Sequence, residues 1–288
     1  IKKCRAAFES GRGNKALQTA VCKRGVLEVA TDSERGHDPD TTFAFSDELD
    51  QTWTVCDQKS SGRCWIFSAL TVLRAFAMEH ALGVKDFEFS QVYVFFWYKF
   101  ERSGYFLDEI IRTADRPDGD RLVMFLIANP AVDGGQFDFF RAVVKKYGLV
   151  PKSVMPETYS SEHTGFGLRQ HLNTVLRTAA CQIRRAYREN EAAGAAKQSE
   201  AMQAIKREAM ERVWTVLCMH LGTPPERFSY RWVAKPKDEE SDDDKKDSKD
   251  KKEKDKKKDK KDSKDKKVVR DLCDITPLDF VKFCGFPD

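Results

Sequence analysis

Apolar residues along this chain collect into helix-length runs separated by polar breaks. The clearest run is Trp65, Ile66, Ala69, Leu70, Leu73, Phe76 and Ala77. At a helical period those positions share one side. Gly83 lies just past the run and is a stop signal. The pattern therefore predicts a helix of about five turns, from near Cys64 to just before Gly83. A polar loop over residues 57–63 leads into it and sets Cys64 in the first turn.

Other elements follow from the same pattern. Residues 87–102 are rich in aromatics, and Ser90 reads as the N-cap of a second helix. Asp133-Gly134-Gly135-Gln136 reads as a turn, and the stretch from Phe137 to Tyr147 as a short helix closed by Gly148. Residues 162–221 carry two or three polar, Ala- and Arg-rich helices, ended by Gly222-Thr223-Pro224-Pro225. Thr276 and Pro277 mark one more helix start, as N-cap and first helical residue. Near the beginning, residues 14–30 suit a helix and residues 31–40 are rich in turn formers. No internal repeat is evident.

These elements suggest five segments: an arm over 1–50, a body over 51–160, a helical insertion over 161–235, a tract over 236–267 and the start of a further segment over 268–288. Residues 237–267 contain only Lys, Asp, Glu and Ser, cannot bury apolar surface and are expected to be disordered. The chain begins at Ile1 rather than methionine and stops at Phe286-Pro287-Asp288, and both ends read as cut, as in a fragment or a partial gene product.

Charge and composition narrow the classes. The 288 residues suffice for a sizeable core. The net charge is +4, and residues 237–267 offset 15 lysines with 13 acidic residues. The rest shows no global basic bias of the kind nucleic-acid binding favours, so a nucleic-acid role through the Lys-rich tract is only weakly supported. No apolar run reaches the ~20 residues that span a bilayer, so no membrane partner is expected. The first 30 residues hold no signal-peptide core. Eight cysteines, at 4, 22, 56, 64, 181, 218, 273 and 284, show no C-x-x-C spacing. That argues against a zinc site, and reduced thiols in the cytoplasm are the expectation.

The chemistry concentrates at Cys64. A thiol attacks only as thiolate. The first turn of a helix favours negative charge through its dipole and free N–H groups. Arg63 adds a neighbouring cation whose direction the sequence leaves open. An acyl intermediate needs donors aimed at its oxyanion. The Cys64 backbone N–H can supply one, and the Gln58 side-chain amide, on the approaching loop, the other. Gly62 lets the chain turn into the helix. Alone, each residue has a plainer reading: a small buried hydrophobe for Cys64, a surface amide for Gln58, an ordinary turn for Gly134 and Gly135, and core packing for Trp65.

Gln58-Lys59-Ser60-Ser61-Gly62-Arg63-Cys64-Trp65 resembles the Gln…Cys-Trp loop of papain-like cysteine peptidases. It lacks the first cysteine of the usual Cys-Gly-small-Cys-aromatic form, and Arg63 replaces the small residue. In that departure it is similar to the bleomycin hydrolase family of cytosolic papain-like aminopeptidases. Phe87-Glu88-Phe89-Ser90-Gln91, Phe95-Phe96-Trp97, Asn129-Pro130, Asp133-Gly134-Gly135-Gln136, Lys146-Tyr147-Gly148, Pro151-Lys152, Pro156-Glu157, Leu221-Gly222, Pro224-Pro225 and Thr276-Pro277-Leu278 extend the likeness.

The resemblance implies an α+β papain-like fold, seen mainly as its helical left half with a helical insertion. It implies that Cys64 is the nucleophile and Gln58 the oxyanion donor. Gly134 and Gly135, with Trp65 beside them, would border the substrate cleft. It further implies aminopeptidase action on peptides, hydrolysis of bleomycin-like amides by a Cys-His-Asn mechanism, no cofactor, and a homohexameric ring whose C-terminal tail restricts cleavage. The alternative is a truncated or non-catalytic subunit acting by interaction. The required His and Asn are expected downstream of Asp288. His220 lies 156 positions after Cys64, near the ~130–150 of papain-like enzymes, yet residues 213–221 read as an apolar helix. His37, His80, His163 and His171 fall in the arm, on the nucleophile helix or in the polar helical region.

Overall fold

The computed structural model describes residues 1–30, 53–165, 167–234 and 268–286. The turn-rich stretch 31–40 and the expected disordered tract 237–267 lie outside them. The chain divides into two compact units, Ile1–Gln51 and Thr52–Asp288. In the first unit α1 (Lys2–Ser10), α2 (Asn14–Arg24) and α3 (Val26–Ala30) bury none of their residues.

The second unit is built around two helices. Helix α4 (Cys64–Phe76) runs into a π-helical turn over Ala77–Leu82 and ends at Gly83, whose φ of 64° is left-handed. It buries Ile66, Ala69 and Leu70, as the apolar stripe requires. It also buries Arg74, which the stripe does not contain. That guanidinium donates to the Thr54 carbonyl at 2.9 Å and pairs with Asp86, tying the approach segment to the helix.

Helix α5 (Gln91–Arg112) is buried on most sides of its first half because Val92 to Phe96 are all apolar. Ser90 caps it, accepting from the Tyr93 amide at 3.0 Å while donating to the Met155 carbonyl. After α6 (Arg121–Ala128) and α7 (Phe137–Tyr147), the single turn α8 (Tyr159–Glu162) leads into a long antiparallel pair. Its members are α9 (Leu168–Glu189) and α10 (Ala195–Leu221), two of the two or three helices expected there. Leu168, Leu172 and Leu176 of α9, and Val213, Leu217 and Leu221 of α10, repeat every four residues and close the core.

A small sheet adds to the helices that the apolar pattern predicts. Strands β1 (Phe228–Ala234) and β2 (Val268–Ile275) pair antiparallel, with Tyr230 opposite Leu272 and Ala234 opposite Val268. A register shift falls between Phe228 and Tyr230. Trp232 of β1 donates its indole N–H to the Leu82 carbonyl at 2.9 Å. The stretch from 268, expected to open a further segment, is therefore tied to the same core as α4. Its helix α11 (Pro277–Cys284) starts at the expected Thr276 cap and buries Phe280 among Phe87, Phe89 and Phe228. Mixed helices with this small sheet make the unit α+β. Among the described residues no helix is long and apolar enough to cross a membrane.

Candidate active site

Cys64 is the first residue of α4, and it is exposed. The Arg63 carbonyl accepts from the Ile66 and Phe67 amides, at 2.9 and 3.1 Å. The earliest amides of a helix have no partner within it, so the chain presents N–H groups where the thiol emerges.

The loop before Cys64 closes on itself. Gln58 donates its side-chain amide to the Ser61 carbonyl at 3.0 Å, and the Ser61 hydroxyl donates to the Gln58 carbonyl at 2.6 Å. Lys59 takes a left-handed φ of 52°, steadied by its N–H to the Asp57 carboxylate at 2.8 Å. The Lys59 ammonium also holds the exposed Asp57 carboxyl below its ordinary pKa.

Arg63 is fully buried. It donates to the Ser61 hydroxyl at 2.9 Å and to the Glu157 carboxylate at 2.9–3.0 Å, 94 residues along the chain. It also lies over the rings of Phe67 and Phe95. The cation beside Cys64 is thus spent on Glu157 and anchors the loop from beneath.

The second wall is the loop around Asp133. Lys99 of α5, also buried, donates to the carbonyls of Ala131 at 3.1 Å and Val132 at 2.8 Å and pairs with the Asp133 carboxylate. Thr164 donates to the other Asp133 oxygen at 2.8 Å. Burial pushes the Lys99 ammonium below its ordinary pKa, and Asp133 pulls it back.

Trp65 joins the walls. Its indole N–H donates to the Asp133 carbonyl at 3.1 Å, and its ring meets Tyr98 edge-on at 4.7 Å. Tyr98 in turn donates to the Gly134 carbonyl at 2.6 Å. A Cβ on Gly135 would come within 2.5 Å of the Trp65 ring, and one on Gly62 within 2.7 Å of the Asp133 Cβ. Gly134 faces open space: nothing lies within 4 Å of where its Cβ would sit. The two adjacent glycines therefore differ. Gly135 admits a tryptophan, whereas Gly134 forms an open edge beside a cavity of about 500 Å³.

The structure thus gathers Cys64, Trp65, Gly62, Gly134 and Gly135 and sets Gln58 on the adjoining loop. Lys99, Asp133 and Glu157 carry that assembly, and sequence reasoning assigned them no role. A signal existed for Lys99, because a cation within the run from Tyr93 to Phe100 must find a partner if the run is buried.

The described histidines are engaged elsewhere. His80 and His163 bond carbonyls one turn back on their own segments. His220 contacts the Ser160 hydroxyl at 2.8 Å, and its ring lies 5.8 Å from that of His171. Burial, then His171, holds the His220 pKa below its ordinary value. His37 lies outside the described residues.

Residues 1–269 match the model of the peptidase C1-like family. The chain belongs to that family. It is 39% identical over 214 residues to Aminopeptidase C of Lactobacillus delbrueckii subsp. lactis, covering 74% of this chain and 45% of the relative. It is 41% identical over 185 residues to human Bleomycin hydrolase, covering 64% of this chain and 39% of the relative. The crystal structure of PepW from Lactobacillus rhamnosis superposes with a TM-score of 0.77 at 33% identity. That superposition covers 99% of this chain and 55% of PepW. This peptidase C1-like chain spans about half the length, or somewhat less, of the curated relatives it matches.

Proposed function

We propose that this chain carries the nucleophile half of a papain-like cysteine aminopeptidase that cleaves peptides from the N-terminus and accepts bleomycin-like amides. The observation that carries this reading is an exposed thiol on the first residue of α4, set between two loops that are each fixed by a buried cation. The names of relatives in the family, Aminopeptidase C and Bleomycin hydrolase, supply the substrate class.

In this reading the Cys64 thiolate adds to the scissile carbonyl. The Cys64 backbone N–H and the Gln58 amide then stabilise the oxyanion. Gln58 must first exchange its Ser61 carbonyl partner for the substrate oxygen, a rotation of one side chain. Gly134 presents its backbone to the peptide, and Trp65 keeps Gly134 in register with Cys64. The reading also requires a histidine brought to the Cys64 thiol as base and an asparagine to orient it.

A cytoplasmic site of action agrees with eight free cysteines. Assembly as a homohexamer belongs to the same proposal. The test is hydrolysis of N-terminally free peptides by the full-length protein. Cys64→Ala should lower kcat by at least about a thousandfold. A Cys64→Ala protein that still cleaves at the parent rate sinks the assignment.

A further inference from the structure

The cavity beside Gly134 has a composition that a peptide backbone alone does not explain. Its walls come from Ser60 and Gly62 on the nucleophile loop, from residues 128–134, and from Thr164, Gly165, Arg169 and Asn173 at the start of α9. Two of these side chains have no hydrogen-bond or ion-pair partner for a polar group among the described residues.

Arg169 is exposed and has no carboxylate partner among the described residues. Its guanidinium reaches to 3.9 Å from the Cβ position of Gly165, on the cavity wall. Asn173 follows four residues later, so both lie on one face of α9. The Asn173 side-chain oxygen is buried and accepts no hydrogen bond. Such an oxygen calls for a hydrogen-bond donor, and a peptide N–H is one. The other charged group of the wall, Asp133, is already met by Lys99 and Thr164, so the free charge of the cavity is that of Arg169.

We infer that this cavity receives a carboxylate side chain of the peptide substrate, with Arg169 as a specificity-determining residue and Asn173 accepting a substrate N–H. A planar guanidinium binds a carboxylate through two parallel hydrogen bonds. A small inorganic anion would satisfy Arg169 and leave the Asn173 oxygen unfilled. An acidic residue within a peptide brings the carboxylate and the N–H together. This inference rests on the peptidase reading of Cys64 and names the substrate that site prefers.

The test is calorimetric binding to the full-length protein carrying Cys64→Ala, so that nothing is cleaved. The ligands are Glu-Ala-Ala against Gln-Ala-Ala, and Ala-Glu-Ala against Ala-Gln-Ala. At one of the two positions the glutamate peptide should bind roughly fivefold to tenfold more tightly, and the ratio should shrink in 1 M salt, where charges about 3 Å apart are already screened. Arg169→Met should remove the preference, and Arg169→Glu should turn it toward a lysine peptide. Both substitutions are at an exposed position, and circular dichroism checks that the fold is kept. Equal binding of the Glu and Gln peptides at both positions overturns the inference, as does a preference that survives Arg169→Met. Parallel hydrolysis by the parent protein separates the failures. Cleavage that needs Cys64 but ignores Glu against Gln leaves the peptidase reading standing and removes only this one. Cleavage that persists without Cys64 removes both.

Discussion

Two buried cations hold the two walls beside Cys64, and they do so in different ways. Arg63 grips side chains: the Ser61 hydroxyl within its own loop and the distant Glu157 carboxylate. Lys99 grips mainly backbone: two consecutive carbonyls, with the Asp133 carboxylate as counter-charge. A planar guanidinium suits the first task because its donors point in fixed directions toward a carboxylate. A compact ammonium suits the second because three donors can fan out to converging oxygens. The wall that carries Cys64 is thus pinned to another part of the chain, whereas the glycine wall is wrapped around a point charge. Buried pairs of this kind add little net stability over apolar packing, but breaking one leaves an uncompensated charge.

The largest effect is expected at Lys99. Lys99→Met strands the Asp133 carboxylate and should cost about 3–5 kcal/mol in a denaturant titration. Adding Asp133→Asn should recover part of that loss. A cost below about 1 kcal/mol for Lys99→Met would mean that the ammonium does not hold the glycine wall.

Arg63→Lys keeps the charge but loses the fork, and about 1–3 kcal/mol should go with it. If lysine serves as well at 63, the proposed difference between the two anchors disappears. Gly135→Ala drives a methyl group into the Trp65 ring and should cost about 1–3 kcal/mol. Gly134→Ala meets nothing and should stay within about 0.5 kcal/mol for folding, while weakening peptide binding at the open edge. Equal destabilisation by the two alanines would erase the distinction between the glycines.

The smallest contrast moves no stability and concerns thiols. Cys56, on the approach to the loop before Cys64, is pushed up to about 12 by burial and by Glu88. Burial alone pushes Cys284 up to about 12. At pH 8 each holds about a thousandth of the thiolate of an unperturbed cysteine. Peptide mapping after brief alkylation at pH 8 should find Cys64 modified and those two intact. Their labelling should rise about tenfold per pH unit toward 12. Early labelling of Cys56 would show that its burial is not maintained in solution.

Much of the architecture was legible in the chain because it depends on near neighbours. Gly83 ends the helical run that opens at Cys64, Ser90 and Thr276 cap the helices they were expected to cap, and the stripe from Ile66 to Ala77 is the buried one. These are one-turn effects of backbone conformation, capping and periodicity. Candidate site residues could also be named, since the motif around Cys64 and the pair Gly134-Gly135 are contiguous strings.

What those residues do to one another was decided only in three dimensions. Arg63 turns inward to Glu157, 94 residues away, and Lys99 finds Asp133 at a separation of 34. Gly135 makes room for Trp65 while Gly134 stays open, and β1 pairs with a strand that begins at Val268. A charge or a glycine is chosen by its environment, and here that environment is assembled from segments far apart in the chain. The sequence by itself determined that a cysteine opens a helix beside a glutamine loop. The tertiary structure decided that the neighbouring cation supports the loop rather than the thiol, because a buried guanidinium must pair where a carboxylate reaches it.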